Sequence, residues 1–189
     1  MTWTRLVLSA KPTVLALSEA DAKAHLRIDG NDSDADVLAA INDAASYIEG
    51  PNGKGLALTT QTWKLSLMGF EAGPIVLPIW PVQSVESVEY QDQDGVMQTL
   101  DATAYAPDLI ASPATIYPVW GASFPVGRRG PGAVVVTFKA GFGDAASDVP
   151  GTLTRAMRLL VGHFFENREG QAMPDAIDNL LARYAVGTI

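Results

Sequence analysis

At 189 residues the chain is long enough for one ordinary domain with its own core and too short for two substantial ones. Hydrophobic residues make up 48% and charged residues 18%, far more apolar material than a disordered chain carries. The absence of cysteine excludes disulfides, thiolate zinc sites and cysteine nucleophiles, and a formal charge of −8 opposes tight general binding to nucleic-acid phosphates.

No apolar run approaches the length of a membrane span, and the N-terminus has no basic stretch followed by a hydrophobic segment and a small-residue cleavage site. The expectation is a soluble, unexported protein with no membrane association. Acidic residues crowd the first fifty positions, from Glu19 and Asp21 through Asp29, Asp32, Asp34, Asp36, Asp43 and Glu49. Such a surface lets DNA slide past without sticking.

In chain order, Ser18-Glu19-Ala20-Asp21 opens a first short helix to Ile28, with Ser18 as N-cap and Asp21 at the third helical position. After the acidic turn 29–33 a second helix presents Leu38, Ile41, Ala45 and Ile48 on one side and ends at Gly50-Pro51. These helices occupy residues 18–50. Beyond them the period changes to two: Trp63, Leu65 and Leu67 alternate with Thr62, Lys64 and Ser66. Residues 59–143 read as an inserted β region, with a short run at Ile75 to Leu77 and a hairpin of Ser84 to Tyr90 and Val96 to Leu100 about the turn dipeptide Asp94-Gly95. Prolines at 107, 113, 118 and 125 predict edge strands and loops, and valine-rich Ala133 to Lys139 predicts a strand.

A third helix over 149–170 starts near Pro150 and carries a wide apolar stripe of Leu153, Ala156, Met157, Leu160, Val161, Phe164 and Phe165. Leu159 and His163 lie off that stripe and offer a second contact side, a candidate subunit interface. Pro174 opens a last short helix with Ile177, Leu180, Leu181 and Tyr184 on one face. So short a helix is marginal alone and must dock on its own core or on a partner. The predicted class is α+β: a small helical bundle with an inserted antiparallel β domain, in a single unit over 1–189.

Motifs for chemistry fail on spacing. Asp29, Asn31, Asp32, Asp34 and Asp36 have the oxygen ligands of a calcium loop, but neither register places a glycine at the sharp turn or a glutamate at the last ligand. Helix-capping acids are the plainer reading. Gly53-Lys54-Gly55 lacks the Ser or Thr and the upstream glycine of a phosphate loop, so it reads as a turn. His25 and His163 sit in no recognisable catalytic setting, no G-x-S-x-G is present, and Glu166 with Glu169 reads as a solvated helix face. Gly127-Arg128-Arg129-Gly130 is a basic loop: Arg128 and Arg129 are candidates to touch DNA or an acidic neighbour, against a plain solvated connection. Trp63, Trp80 and Trp120 are assigned to core packing, with a sugar- or base-stacking platform as the alternative. No catalytic residue, metal or cofactor is expected.

The ordered pieces resemble the head–tail connector proteins of tailed phages, in particular the adaptor-like group also found in gene transfer agents. The likeness is carried by Leu17-Ser18-Glu19-Ala20-Asp21-Ala22-Lys23-Ala24-His25-Leu26-Arg27, the acidic turn and the Leu38 to Glu49 helix. Next come Gln61-Thr62-Trp63, Leu77-Pro78 with Pro81-Val82, Ser87-Val88-Glu89-Tyr90 with Asp94-Gly95, and Ala140-Gly141-Phe142-Gly143. Val149-Pro150, Phe165-Glu166-Asn167-Arg168-Glu169 and Leu180-Leu181 complete it. The chain departs from the group at Phe124-Pro125, where a tryptophan often precedes the proline, and at Arg183-Tyr184-Ala185, where a proline-tyrosine-arginine ending is common. The resemblance implies a structural protein of a virion or phage-like particle, assembled in the host cytoplasm into a homo-oligomeric ring, a dodecamer, under the portal protein. It also implies a tail-side stopper as second partner, passage of double-stranded DNA through the lumen, and a C-terminal segment, 174–189, that reaches the portal. The competing readings are a carbohydrate-binding tail module and an enzyme with an unusual site.

Overall fold

The computed structural model describes residues 3–167 and 171–184, with side chains from Arg5 onward. The chain divides into two compact units, one from residues 3–12 and 60–141, the other from residues 13–59 and 142–184. The α+β class expected from the sequence is borne out.

The first unit is all β. Its strands are β1 (Trp3–Ala10), β2 (Gln61–Leu67), β3 (Ile75–Leu77), β4 (Val82–Gln91), β5 (Met97–Thr99), β6 (Tyr105–Asp108), β7 (Ala114–Pro118) and β8 (Val134–Ala140). A five-stranded antiparallel sheet runs β1-β2-β8-β4-β5, and a three-stranded one runs β3-β7-β6. β8 is central because its alternate residues Val134, Val136, Phe138 and Ala140 are all buried, and Trp63, Leu65 and Leu67 of β2 face the same way in register with Phe138, Val136 and Val134. The Asp94-Gly95 turn joins β4 to β5 as expected, with Gly95 at φ +85° and the Asp92 carboxylate accepting the N–H groups of Asp94 and Val96.

Two expectations are corrected here. No element was assigned before Ser18, yet β1 pairs with β2 along its length, so the β unit is not only an insertion between helices. The proline-rich stretch also contains a central strand, β7, and not edge strands alone: Pro113 precedes it and Pro118 is its last residue, so its interior keeps the N–H groups that the ladder needs. Pro107 does sit on an edge strand, β6.

The second unit is helical: α1 (Glu19–Leu26), α2 (Asp34–Ile48), α3 (Gly151–Glu166) and α4 (Asp175–Leu181). Ser18 caps α1, its hydroxyl oxygen accepting the Asp21 N–H at 3.0 Å. Helix α2 packs on α3, α1 lies against both, and α4 lies against α3. The buried face of α2 is Val37, Ala40, Ile41, Ala44 and Ile48, so the predicted face was rotated: Leu38 is 42% exposed. Both stripes have three-and-four spacing, and the small Ala40 and Ala44 win because they let α3 approach. On α3 the predicted stripe is buried at Leu153, Ala156, Met157, Leu160 and Val161 and half-buried at Phe164 and Phe165. The last residues of the predicted third helix, 168–170, lie outside the described residues.

Candidate functional site

The terminal helix is the first candidate. Ile177 and Leu181, read from sequence as partner-facing, are each only 1% exposed in the chain's own helical unit, while Leu180 and Tyr184 on the same face are half-buried. Of the two docking options left open for so short a helix, its own core accounts for two of the four side chains. The Tyr184 ring meets Phe142 edge-on at 6.3 Å between centroids. The rest of segment 174–189, from Ala185, lies outside the described residues.

A polar clasp that sequence reasoning missed adds to the seating of α4. The Asp178 carboxylate accepts the Tyr47 hydroxyl at 3.0 Å and pairs with Lys54 Nζ at 2.9 Å, and that ammonium lies 5.1 Å from the Tyr47 ring centre. Lys54 and then Tyr47 hold the Asp178 carboxyl below the usual carboxylate range. Asp178 in turn raises the Lys54 ammonium, and burial, then the bond to Asp178, raises the Tyr47 hydroxyl. Lys54 can reach because Gly53-Lys54-Gly55 forms a tight turn after α2, with the Gly53 N–H on the Gly50 carbonyl and the Lys54 N–H on the Ile48 carbonyl. The pairing spans more than a hundred residues of sequence, and no local signal marks it.

In the acidic turn, the cation held is the chain's own. Lys23 Nζ pairs with Asp34 and Glu19 and donates to the Gly30 carbonyl at 3.1 Å and to Asn31 Oδ1 at 3.3 Å. Asp34 is the leading cause of a raised Lys23 ammonium. Among the described residues no group of three or more histidine, aspartate or glutamate side chains is placed to hold a metal ion.

His163 Nε2 lies 3.3 Å from the Gln171 carbonyl oxygen, and Nδ1 lies 3.4 Å from the Asn167 amide nitrogen. A proton on Nε2 satisfies both contacts, so the ring ties the end of α3 to the segment that follows. Leu159 is half-buried. His25 lies against the same helix: a Cβ placed at Gly162 would come 3.9 Å from His25 Nε2.

Arg128 and Arg129 are exposed, but their stems are laid on glycine gaps. A Cβ at Gly95 would sit 2.5 Å from Arg128 Nη1, and one at Gly69 would sit 3.3 Å from Arg129 Cγ. The Arg128 N–H donates to the Gln91 carbonyl at 3.0 Å, so the basic loop is anchored over the β4–β5 turn. The tryptophans divide: Trp63 is buried, Trp80 half-buried, and Trp120 fully exposed at 103%, against the core role expected for it. Its turn, Val119 to Ala122, projects it outward because Gly121 takes φ +80°.

Among solved structures the chain is similar to a component of the neck of an empty gene transfer agent particle computed with six-fold symmetry. The identity is 28%, the TM-score 0.82, and the match covers 98% of this chain and 97% of that one. It is similar over the same shares, at 26% identity and TM-score 0.81, to a chain in the virion of the native gene transfer agent particle. A third match, to the neck of the native particle computed with twelve-fold symmetry, has 26% identity and TM-score 0.74. No protein-family model and no curated protein matches the sequence. The resemblance to head–tail connectors of the gene-transfer-agent group is borne out, with the particle neck as the location.

Proposed function

We propose that this chain, which stands with the neck proteins of phage-like particles, is the head–tail adaptor: a structural ring subunit between the portal and a tail-side stopper. The observation that carries the reading is end-to-end likeness, 98% of this chain on 97% of a neck chain at TM-score 0.82. The six-fold and twelve-fold symmetry of the neck reconstructions supports a ring, for which a dodecamer matches the portal. A formal charge of −8 suits a ring whose lumen passes double-stranded DNA without gripping it. Leu180 of α4 and Tyr184 in the turn that follows it, half-exposed beside the seated Ile177 and Leu181, are the side chains through which the portal is met.

The test is negative-stain electron microscopy of the purified chain mixed with the portal encoded beside it. A collar of added density at one end of the portal is expected, and bare portals at saturating chain would overturn the assignment. Leu180→Glu should abolish the collar in a protein that still folds. The carbohydrate-platform reading is the weaker one, because of the three tryptophans that would build it Trp63 is in the core and Trp80 is half-covered, so only Trp120 of the three is fully exposed.

A further inference from the structure

The three most exposed large apolar side chains among the described residues are Ile110 at 96%, Trp120 at 103% and Val126 at 79%. All three lie on the loops that flank β6 and β7, and two of them are held out by hydrogen-bonded turns. The Asp108 carboxylate accepts the N–H groups of Ile110 at 3.2 Å and Ala111 at 3.1 Å. The Ala122 N–H closes the Trp120 turn onto the Val119 carbonyl at 3.0 Å. Side chains presented this way lose little further freedom on contact.

The register Tyr105↔Pro118 to Asp108↔Thr115 puts Ile110 at the closed end of the β6–β7 hairpin and Trp120 beyond its open end. At about 3.4 Å per residue the two are separated by on the order of 15 Å. Residues on both sides of Trp120 in sequence, Tyr117, Pro118, Ser123 and Phe124, share with Glu71 and Pro74 the wall of a hollow of about 310 Å³. The Phe124 ring is stacked on Phe70 at 4.7 Å, which fixes that wall.

We infer that this hairpin is the lateral contact of the ring: Ile110 of one copy enters the hollow walled by the residues flanking Trp120 of the next copy. The inference rests on the adaptor reading above. A ring of identical subunits closes through a heterologous contact, which needs two different surfaces on each subunit. The tip of the hairpin supplies an apolar knob, Ile110, and the loops at its other end supply a largely apolar hollow that includes one carboxylate, Glu71. A portal or a stopper would need only one such surface. Size points the same way. With an aromatic side chain covering 150–250 Å², Trp120 on one copy, Ile110 on the next and their neighbours bury on the order of 500 Å² over both sides together, well short of the roughly 1,600 Å² total of a stable pair. Free copies therefore stay apart, and the contact forms when a platform raises their effective concentration.

The chain has no cysteine, so Ile110→Cys with Ser123→Cys introduces the sole thiol pair. The double variant is assembled on portals and treated with a short bis-maleimide. A ladder of covalent multimers is expected on portals, with none in the free protein and none from either single variant. Collars without a ladder would overturn the lateral contact and leave the adaptor reading standing, whereas a wild-type chain that forms no collar removes both. Trp120→Ala changes a fully exposed side chain, so the fold should persist by circular dichroism. It should require roughly thirtyfold more protein for half-filled collars and lose cooperative filling. Weaker binding with cooperativity intact would assign Trp120 to the portal face and refute the contact between copies.

Discussion

Burial, and not the ion pair, should decide how firmly α4 is seated, and two substitutions one residue apart separate the contributions. Ile177 is 1% exposed, so Ile177→Ala removes a buried branched side chain at a cost of about 2–5 kcal/mol. Asp178→Asn keeps an oxygen to accept the Tyr47 hydroxyl and loses the charge that pairs with Lys54. The two side chains of that pair are 49% and 33% exposed, so solvent screens it to about 0.2–1 kcal/mol. In local opening these costs become an increase of about 1.4- to 5-fold for Asp178→Asn and about 30-fold or more for Ile177→Ala. The latter rises only until α4 is open most of the time. Hydrogen exchange of the Ala182 amide, which bonds to the Asp178 carbonyl, reads this opening directly. Equal acceleration by the two variants, or a larger effect from Asp178→Asn, would refute the assignment of the seat to apolar burial.

Gly95→Ala should destabilise the β unit by about 1–2 kcal/mol from the left-handed backbone alone, with φ at +85°. Contact with Arg128 Nη1 adds to it, so Arg128→Ala in the same chain should recover the contact share and not the backbone share; urea titration of the three variants separates them, and full recovery would mean that the backbone conformation costs nothing. Acid should weaken the fold. Asp178, Asp92, Asp101 and Glu86 all titrate below the usual range, held there chiefly by Lys54, Gln98, Thr103 and Ser84 respectively. A carboxylate lowered in the folded state adds stability that is complete above its unfolded value of about 4 and is lost as pH falls through the folded value. Tm should therefore hold from pH 7 to about 5 and drop below about 4, with a smaller drop in Asp92→Asn; a Tm unchanged down to pH 3 would contradict the shifts.

Much of this protein is written in local pattern. The alternation at Trp63, Leu65 and Leu67, the valines of β8, the Asp94-Gly95 turn, the Ser18 cap and the stripe of α3 each specify an element through nearest neighbours, because period and turn chemistry depend only on residues a few positions apart. The ordered set of short motifs was also enough to name the connector resemblance, since it needs order along the chain and no coordinates. The face of α2 was less legible: two stripes share its spacing, and only the packing partner α3 chooses Val37 over Leu38.

What tertiary structure alone decided are the features whose partners are distant in sequence. Strand β1 alternates exposed Arg5, Val7 and Ser9 with half-buried Leu6 and Leu8, but none of these side chains is fully buried, and the strand exists through its ladder to β2, more than fifty residues away. Lys54 gains its role from Asp178, and Ile177 and Leu181 turn inward because α3 offers them an apolar surface. Trp120 is the sharpest case: composition assigns an indole to the core, and the turn at Gly121 together with the filled interior of the β unit leaves it in solvent. By itself the sequence determined the elements and their order, because helix period, strand alternation and turn propensity are local energies. Which surfaces are spent inside the chain and which remain for partners depended on how the elements pack, because burial is a property of the assembled chain.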